Sequence, residues 1–327
     1  MPHGSEDGEP TRDRLRRDVE ALALPAGRRV GTRGHDEARA HLEARLAELG
    51  LEPYGDAFAL PYEAAGYRFA NLIAVAPGEK RSPVPVLIAA HYDTAGDWSG
   101  ADDNAAAVAI ALEVARRLQA APAARDVVIA LFDAEEPPFF HTPAMGSTRF
   151  YERQAPRPVH AALVMDLVGH ALPAPGLEDL LFVTGMESDP ALERTVLGLA
   201  ETDAVRVVTA LNRYVGDMSD HHVFRLNQVP YLFLTCGHWP HYHRPSDTPD
   251  RLDYAKMSAI TDLLEAATRD VARRRLEGPW EGYDTTPTDL RTMRAAFGAM
   301  AAELGMPLER RGDIDRMATF LMRELGL

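Results

Sequence analysis

The chain has 327 residues, of which 46% are apolar, a formal net charge of −14, and a single cysteine, Cys236. That balance, with no run of lysine or arginine, argues against nucleic acid or an anionic membrane as partner, and one thiol excludes an intrachain disulfide. No apolar stretch approaches a membrane span, and the polar start MPHGSEDGEPTRDRLRRD lacks the apolar centre of a signal peptide, so a cytoplasmic protein is expected.

Residues 1–10 read as a disordered start. Helices are predicted over about 11–23 and 35–49, the second stopped by Gly50. Strand-like stretches near 53–60 and 67–76, divided by Pro61 and Gly66, predict a meander. After the turn PGEKRSP the pattern changes to apolar strands alternating with amphipathic helices. VPVLIAAHYD, DVVIALFDAEE, VHAALVMDLVG, DLLFVTG, RVVTAL and VPYLFLT read as strands. DNAAAVAIALEVARRLQA, STRFYERQ, DPALERTVLGLAE, a stretch near 217–226 and a long one near 253–276 read as helices. This grammar predicts an α/β fold, a mostly parallel mixed β-sheet flanked by helices on both faces, in a single globular domain over 11–276. After a loop at 277–287, two helices near 288–304 and 312–325 form a C-terminal extension. They either pack on the domain or build an interface between copies of the chain.

Polar residues gather where the predicted strands end. His91 and Asp93 close one strand, Asp102 and Asp103 precede the next helix, Glu135 and Glu136 close another strand, and Asp166 a third. His241 and His243 follow the strand near 229–235. Parallel order brings such ends to one edge, where α/β proteins bind ligands. Each residue alone has a plain structural explanation: an N-cap for Asp102 or Asp103, a solvated loop pair for the glutamates, an exposed loop residue for His243. Jointly they point to a metal. Two histidines with three carboxylates suit zinc better than magnesium or calcium. Asp93 lies two residues beyond His91, on the same face of an extended segment, placed to accept the other ring N–H of that histidine. Cys236, in an apolar setting, is expected in the core, and Asp97 and Asp102 as solvated or capping residues. Ser219 or Asp220 of SDHHVF caps a helix or contacts the site from outside. Phe139 and Phe140 line a side-chain pocket or simply pack.

In order, the chain contains H-Y-D, G-A-D-D-N-A, D-A-E-E with G-S beyond it, M-D-L-V-G, S-D-H-H-V-F and Y-H-R-P-S-D-T. This series, over about 33–275, resembles the zinc exopeptidases that include the bacterial leucyl aminopeptidases, aminopeptidase Y and the glutaminyl cyclases. The resemblance implies the zinc-exopeptidase (phosphorylase/hydrolase-like) fold and a peptide substrate with a free N-terminus. It implies two zinc ions, or one: His91 and Asp166 on the first, Glu136 and His243 on the second, Asp103 bridging. It also implies Glu135 as general base and Tyr242 as an oxyanion donor. The long stretch EEPPFFHTPAMGS is similar to the glutaminyl cyclases, which carry an insertion there and work with one zinc. Tyr242, where cyclases have tryptophan, is similar to the hydrolases. The expected activity is aminopeptidase, with glutaminyl-peptide cyclase as the alternative and a non-catalytic binding protein of the same fold as a third reading.

Overall fold

The computed structural model describes residues 9–82, 84–154, 159–199, 205–278 and 280–325, so the expected disordered start lies, but for Glu9 and Pro10, outside the described residues. Two helices, α1 (Thr11–Leu22) and α2 (Arg33–Glu48), come first. Gly50, at φ +69°, ends α2 as expected: its N–H reaches Ala47 O and that of Leu51 reaches Leu46 O, the paired bonds of a left-handed C-terminal stop.

Strands β1 (Glu52–Pro53), β2 (Ala59–Ala64) and β3 (Tyr67–Ala76) make the meander. The division at Pro61 does not occur. Pro61 lies within β2, paired opposite Ala70, because β2 is an outer strand where a missing N–H need cost no ladder bond. Then follow β4 (Val86–His91), a π-type turn over Ala101–Ala105 running into α3 (Ala106–Ala120), β5 (Val127–Phe132), the short α4 (Gly146–Arg149) and β6 (Ala161–Met165). The rest comprises β7 (Leu180–Thr184), α5 (Pro190–Leu199), β8 (Arg206–Thr209), α6 (Asn212–Val215), α7 (His221–Leu226), β9 (Tyr231–Thr235), α8 (Tyr254–Val271), α9 (Thr286–Glu303) and α10 (Arg311–Leu325).

The strand order is β1-β3-β5-β4-β6-β9-β7-β8, with β2 also on β3. The central four, β5, β4, β6 and β9, run parallel, while β3 joins β5 and β7 joins β9 antiparallel. Alternate residues of one strand feed opposite layers. Val86, Ile88 and Ala90 face α1, α2, α3 and α8, whereas Leu87 and Ala89 face the layer that includes Phe150 and Phe224. Beyond β9 this second layer is completed by the tail: Leu290, Met293 and Phe297 of α9 and Ile314, Met317 and Leu321 of α10 pack on Phe182 and Val208. Cys236 is fully buried in the core, as expected. Among the described residues no helix is long and apolar enough to cross a membrane.

Candidate metal centre

Because β4, β5, β6 and β9 are parallel, their C-terminal ends share one edge. His91 is the last residue of β4, Glu135 and Glu136 follow β5, Asp166 follows β6, and His243 lies in the loop after β9. The π-type turn brings Asp103 back over this edge. Its backbone is not helical there, and the Asp103–Asn104 peptide is cis.

His91 Nε2 lies 3.3 Å from Asp103 Oδ1, 3.6 Å from Asp166 Oδ1 and 3.7 Å from Glu135 Oε2. His243 Nε2 lies 3.1 Å from the other Asp103 oxygen, Oδ2, and 3.1 Å from Glu136 Oε2. Donor atoms of His91, Asp103 and Glu136 all fall within 4.8 Å of one another, as do those of His91, Glu135 and Asp166. Four donors about 2.0–2.1 Å from a tetrahedral ion stand roughly 3.3 Å apart, so these separations fit shared coordination. His243 Nε2 and Glu136 Oε1 are within hydrogen-bond distance at 3.2 Å, but hydrogen bonding does not account for the rest. Both ring nitrogens of His91, Asp103 Oδ2, Glu135 Oε1 and Asp166 Oδ1 are buried without a well-formed hydrogen bond, an arrangement proteins rarely tolerate without a cation or other partner.

The protonation behaviour agrees. Burial pushes Glu135 well above the usual carboxylate range, and burial with the charge of Asp103 pushes Glu136 up to about 8. Burial also raises Asp166, against the pull of His91. His243 is raised to about 10: burial opposes its charge, but Asp103 and Glu136 outweigh it. A cation among the carboxylates removes the cost that burial imposes on their charged forms.

Asp93 lies 3.4 Å from His91 Nδ1, within reach but without hydrogen-bond geometry. Its carboxylate instead accepts the backbone N–H groups of Glu135 and Glu136, each at 3.1 Å, so it aims the two glutamates as well as flanking the histidine. His241 bonds Ser246 and stands apart from the cluster, leaving His243 as the histidine within it. Tyr242 stacks on His243 with ring centroids 3.8 Å apart. Asp97 is exposed, as expected, and pairs with Arg29.

Several expectations change. Asp102 is neither solvated nor a cap: it is fully buried, accepting from Gly169 N at 2.6 Å and facing His170 Nδ1 at 2.7 Å. Asp220 precedes α7 but makes no side-chain cap, and both its carboxylate oxygens are buried without a hydrogen bond. Of the two readings of Phe139, packing holds: it stands edge-on against Phe69 and Tyr67.

Sequence reasoning did not single out the supports of the acidic loop. Arg28, 1% exposed, donates to the carbonyls of Leu22, Tyr92, Ser99 and Gly100. Burial lowers its pKa to about 10, while Asp103, Asp247 and Asp93 pull it back up. Asp247 accepts from the backbone N–H groups of both Asp102 and Asp103, and the Asn104 amide reaches Met165 O at the end of β6. The only advance signal was Asp247's place in Y-H-R-P-S-D-T.

Beside the centre lies a cavity of about 260 Å³, lined by Asp166 and Tyr242 and otherwise largely by apolar side chains.

The profile of peptidase family M28 matches residues 71–268. The uncharacterized protein YfbL of Escherichia coli (strain K12) is 30% identical over 207 residues, covering 54% of this chain and 64% of that protein. Aminopeptidase YwaD of Bacillus subtilis (strain 168) is 23% identical over 215 residues, 62% of this chain and 45% of that protein. The chain therefore spans less than two thirds of the length of these curated relatives. The fold is shared with the glutaminyl cyclase of Bacteroides thetaiotaomicron at a TM-score of 0.62 and 18% identity, covering 81% of this chain and 98% of that one.

Proposed function

This chain belongs to peptidase family M28, and from that premise we propose that it is a zinc-dependent aminopeptidase, removing the first residue from peptides with a free N-terminus. The observation that carries the reading is Asp103, which turns one carboxylate oxygen toward His91 and the other toward His243. In this reading His91 and Asp166 would hold one ion, Glu136 and His243 would hold a second, and the Asp103 carboxylate would serve both. When bound, zinc would polarise the scissile carbonyl and lower the pKa of the attacking water toward neutrality.

The chain's own groups supply the rest. Glu135 has a buried oxygen with no hydrogen-bond partner and takes the proton of that water, returning it to the leaving amine. Asp93 fixes the backbone of Glu135 and Glu136, so neighbouring carboxylates keep separate tasks. The Tyr242 hydroxyl donates to the oxyanion as charge develops on it. Glu135 and Asp166 together offer negative charge to the substrate's α-amino group.

The alternative is a glutaminyl-peptide cyclase, favoured by the length of the segment after Glu136. In the structure Phe139 of that segment packs against Phe69 and Tyr67. A non-catalytic binding role is disfavoured because every candidate ligand and the candidate base are present. Zinc-loaded protein given a leucyl peptide and a glutaminyl peptide separates these. Free leucine and a shortened peptide are expected. Ammonia from the glutaminyl peptide alone would establish the cyclase instead, and no product from either would leave the binding role.

A further inference from the structure

The cavity beside Asp166 and Tyr242 has walls from two sources. One belongs to the part of the chain that matches the family profile, residues 71–268. The other is the tail beyond it: Met293 of α9 and Ala318, Leu321 and Met322 of α10. From this geometry we propose that the tail hairpin α9–α10 is the specificity-determining wall of the pocket that receives the side chain of the substrate's N-terminal residue, and that it selects large apolar side chains. The proposal rests on the aminopeptidase reading and adds to it the substrate class and the residues that set it.

Three observations support it. Asp166 and Tyr242 line the cavity, so its occupant sits against the groups that would hold and hydrolyse the first residue. Its volume of about 260 Å³ exceeds the about 150 Å³ that admits benzene in an apolar protein cavity, which leaves room for leucine, methionine or phenylalanine. No lysine or arginine lines it, so an acidic side chain would be buried unpaired there, and its one carboxylate, Asp166, belongs to the metal centre.

The wall is also held in place. Asp315 of α10 accepts from Arg213 at 2.6 Å and from the Tyr214 hydroxyl at 2.5 Å. Tyr214 and Val215 of α6 line the same cavity. Ile314, Met317 and Leu321 seat α10 on the layer that covers β7 and β8. Ala318, 8% exposed, is a small residue on the cavity wall, and Met322, 49% exposed, stands where the cavity meets solvent. A longer side chain at either position narrows the pocket without touching the metal centre.

The test compares zinc-loaded wild type with Ala318→Leu and Met322→Trp on phenylalanyl, leucyl and alanyl reporter amides. Thermal unfolding and metal content are measured on each protein. Wild type is expected to prefer phenylalanyl and leucyl over alanyl substrates. Each variant is expected to lower kcat/KM for phenylalanyl by 10-fold or more, the scale set by a methylene or two in an apolar pocket, with the alanyl value, the metal content and the melting temperature close to wild type. Because Met322 is half exposed, Met322→Trp keeps the test decisive if Ala318→Leu folds poorly. An unchanged phenylalanyl-to-alanyl ratio in folded, metal-loaded, active variants overturns the proposal and leaves the aminopeptidase reading intact. A wild type that cleaves none of the amides or peptides overturns both.

Discussion

Asp102 and Asp103 are adjacent, identical in type and both placed before a helix, yet they do different things. Asp103 lies between two histidines, while Asp102 is buried against His170 and the Gly169 N–H. Sequence could name Asp103 only through the resemblance, because a capping aspartate and a metal-binding one look alike before a helix. His170 carried no signal at all, since a lone histidine four residues after Asp166 has many ordinary explanations. The Asp103 assignment can be checked directly. Elemental analysis of wild type should find two zinc ions per chain, and Asp103→Asn, which removes the shared charge, should retain one or fewer. Unchanged stoichiometry would exclude the bridge. Tyr242→Phe removes only the hydroxyl, so kcat should fall about 10²- to 10³-fold with KM nearly constant. A change confined to KM would make Tyr242 a binding contact.

At the scale of elements, apolar alternation located β4, β5, β6 and β9, hence every strand end that bears a candidate residue. Direction was not legible for β3 and β7. A strand buried on both faces has the same composition whichever way it runs, and their antiparallel pairing appears only in the register. The link from β5 to α4 shows how tightly the elements fit. A Cβ on Gly146 would stand 2.2 Å from Asp133 O and 2.4 Å from Asn71 Oδ1. Gly146→Ala should therefore lower unfolding free energy by about 1–3 kcal/mol in urea titration, and a wild-type midpoint would show that this contact yields. Helix α7 makes a pH prediction. His221 is buried and stacked on Phe233, and burial lowers its pKa from 6.5 to about 3. Unfolded, the imidazole takes its proton near 6.5, so its contribution is whole above that pH and is lost as pH falls toward 3. His221→Gln should flatten the acid slope of stability by up to ~1.4 kcal/mol per pH unit in that window. Parallel slopes for variant and wild type would refute the assignment.

For the molecule as a whole, the sheet gathers carboxylates at one edge and relies on a cation to compensate them. Arg28 and the backbone donors around Asp93 and Asp247 brace the loops and neutralise the cluster only in part. Chelation should accordingly lower the melting temperature. Zinc at 100 times its dissociation constant should restore about 2.7 kcal/mol, while magnesium should restore far less. The tail was legible as two helices, but not its use. Its apolar spacing favours core packing over an interface between copies, and the structure places it on β7, β8 and the cavity. The most direct test of the central claim is mass spectrometry of a mixed pool of free and N-acetylated peptides, incubated with zinc-loaded wild type and with Glu135→Gln. Stepwise loss of whole N-terminal residues from the free peptides alone, abolished in Glu135→Gln although its zinc is retained, is the predicted result. Cleavage of acetylated peptides, or equal cleavage by the Glu135→Gln protein, would contradict it.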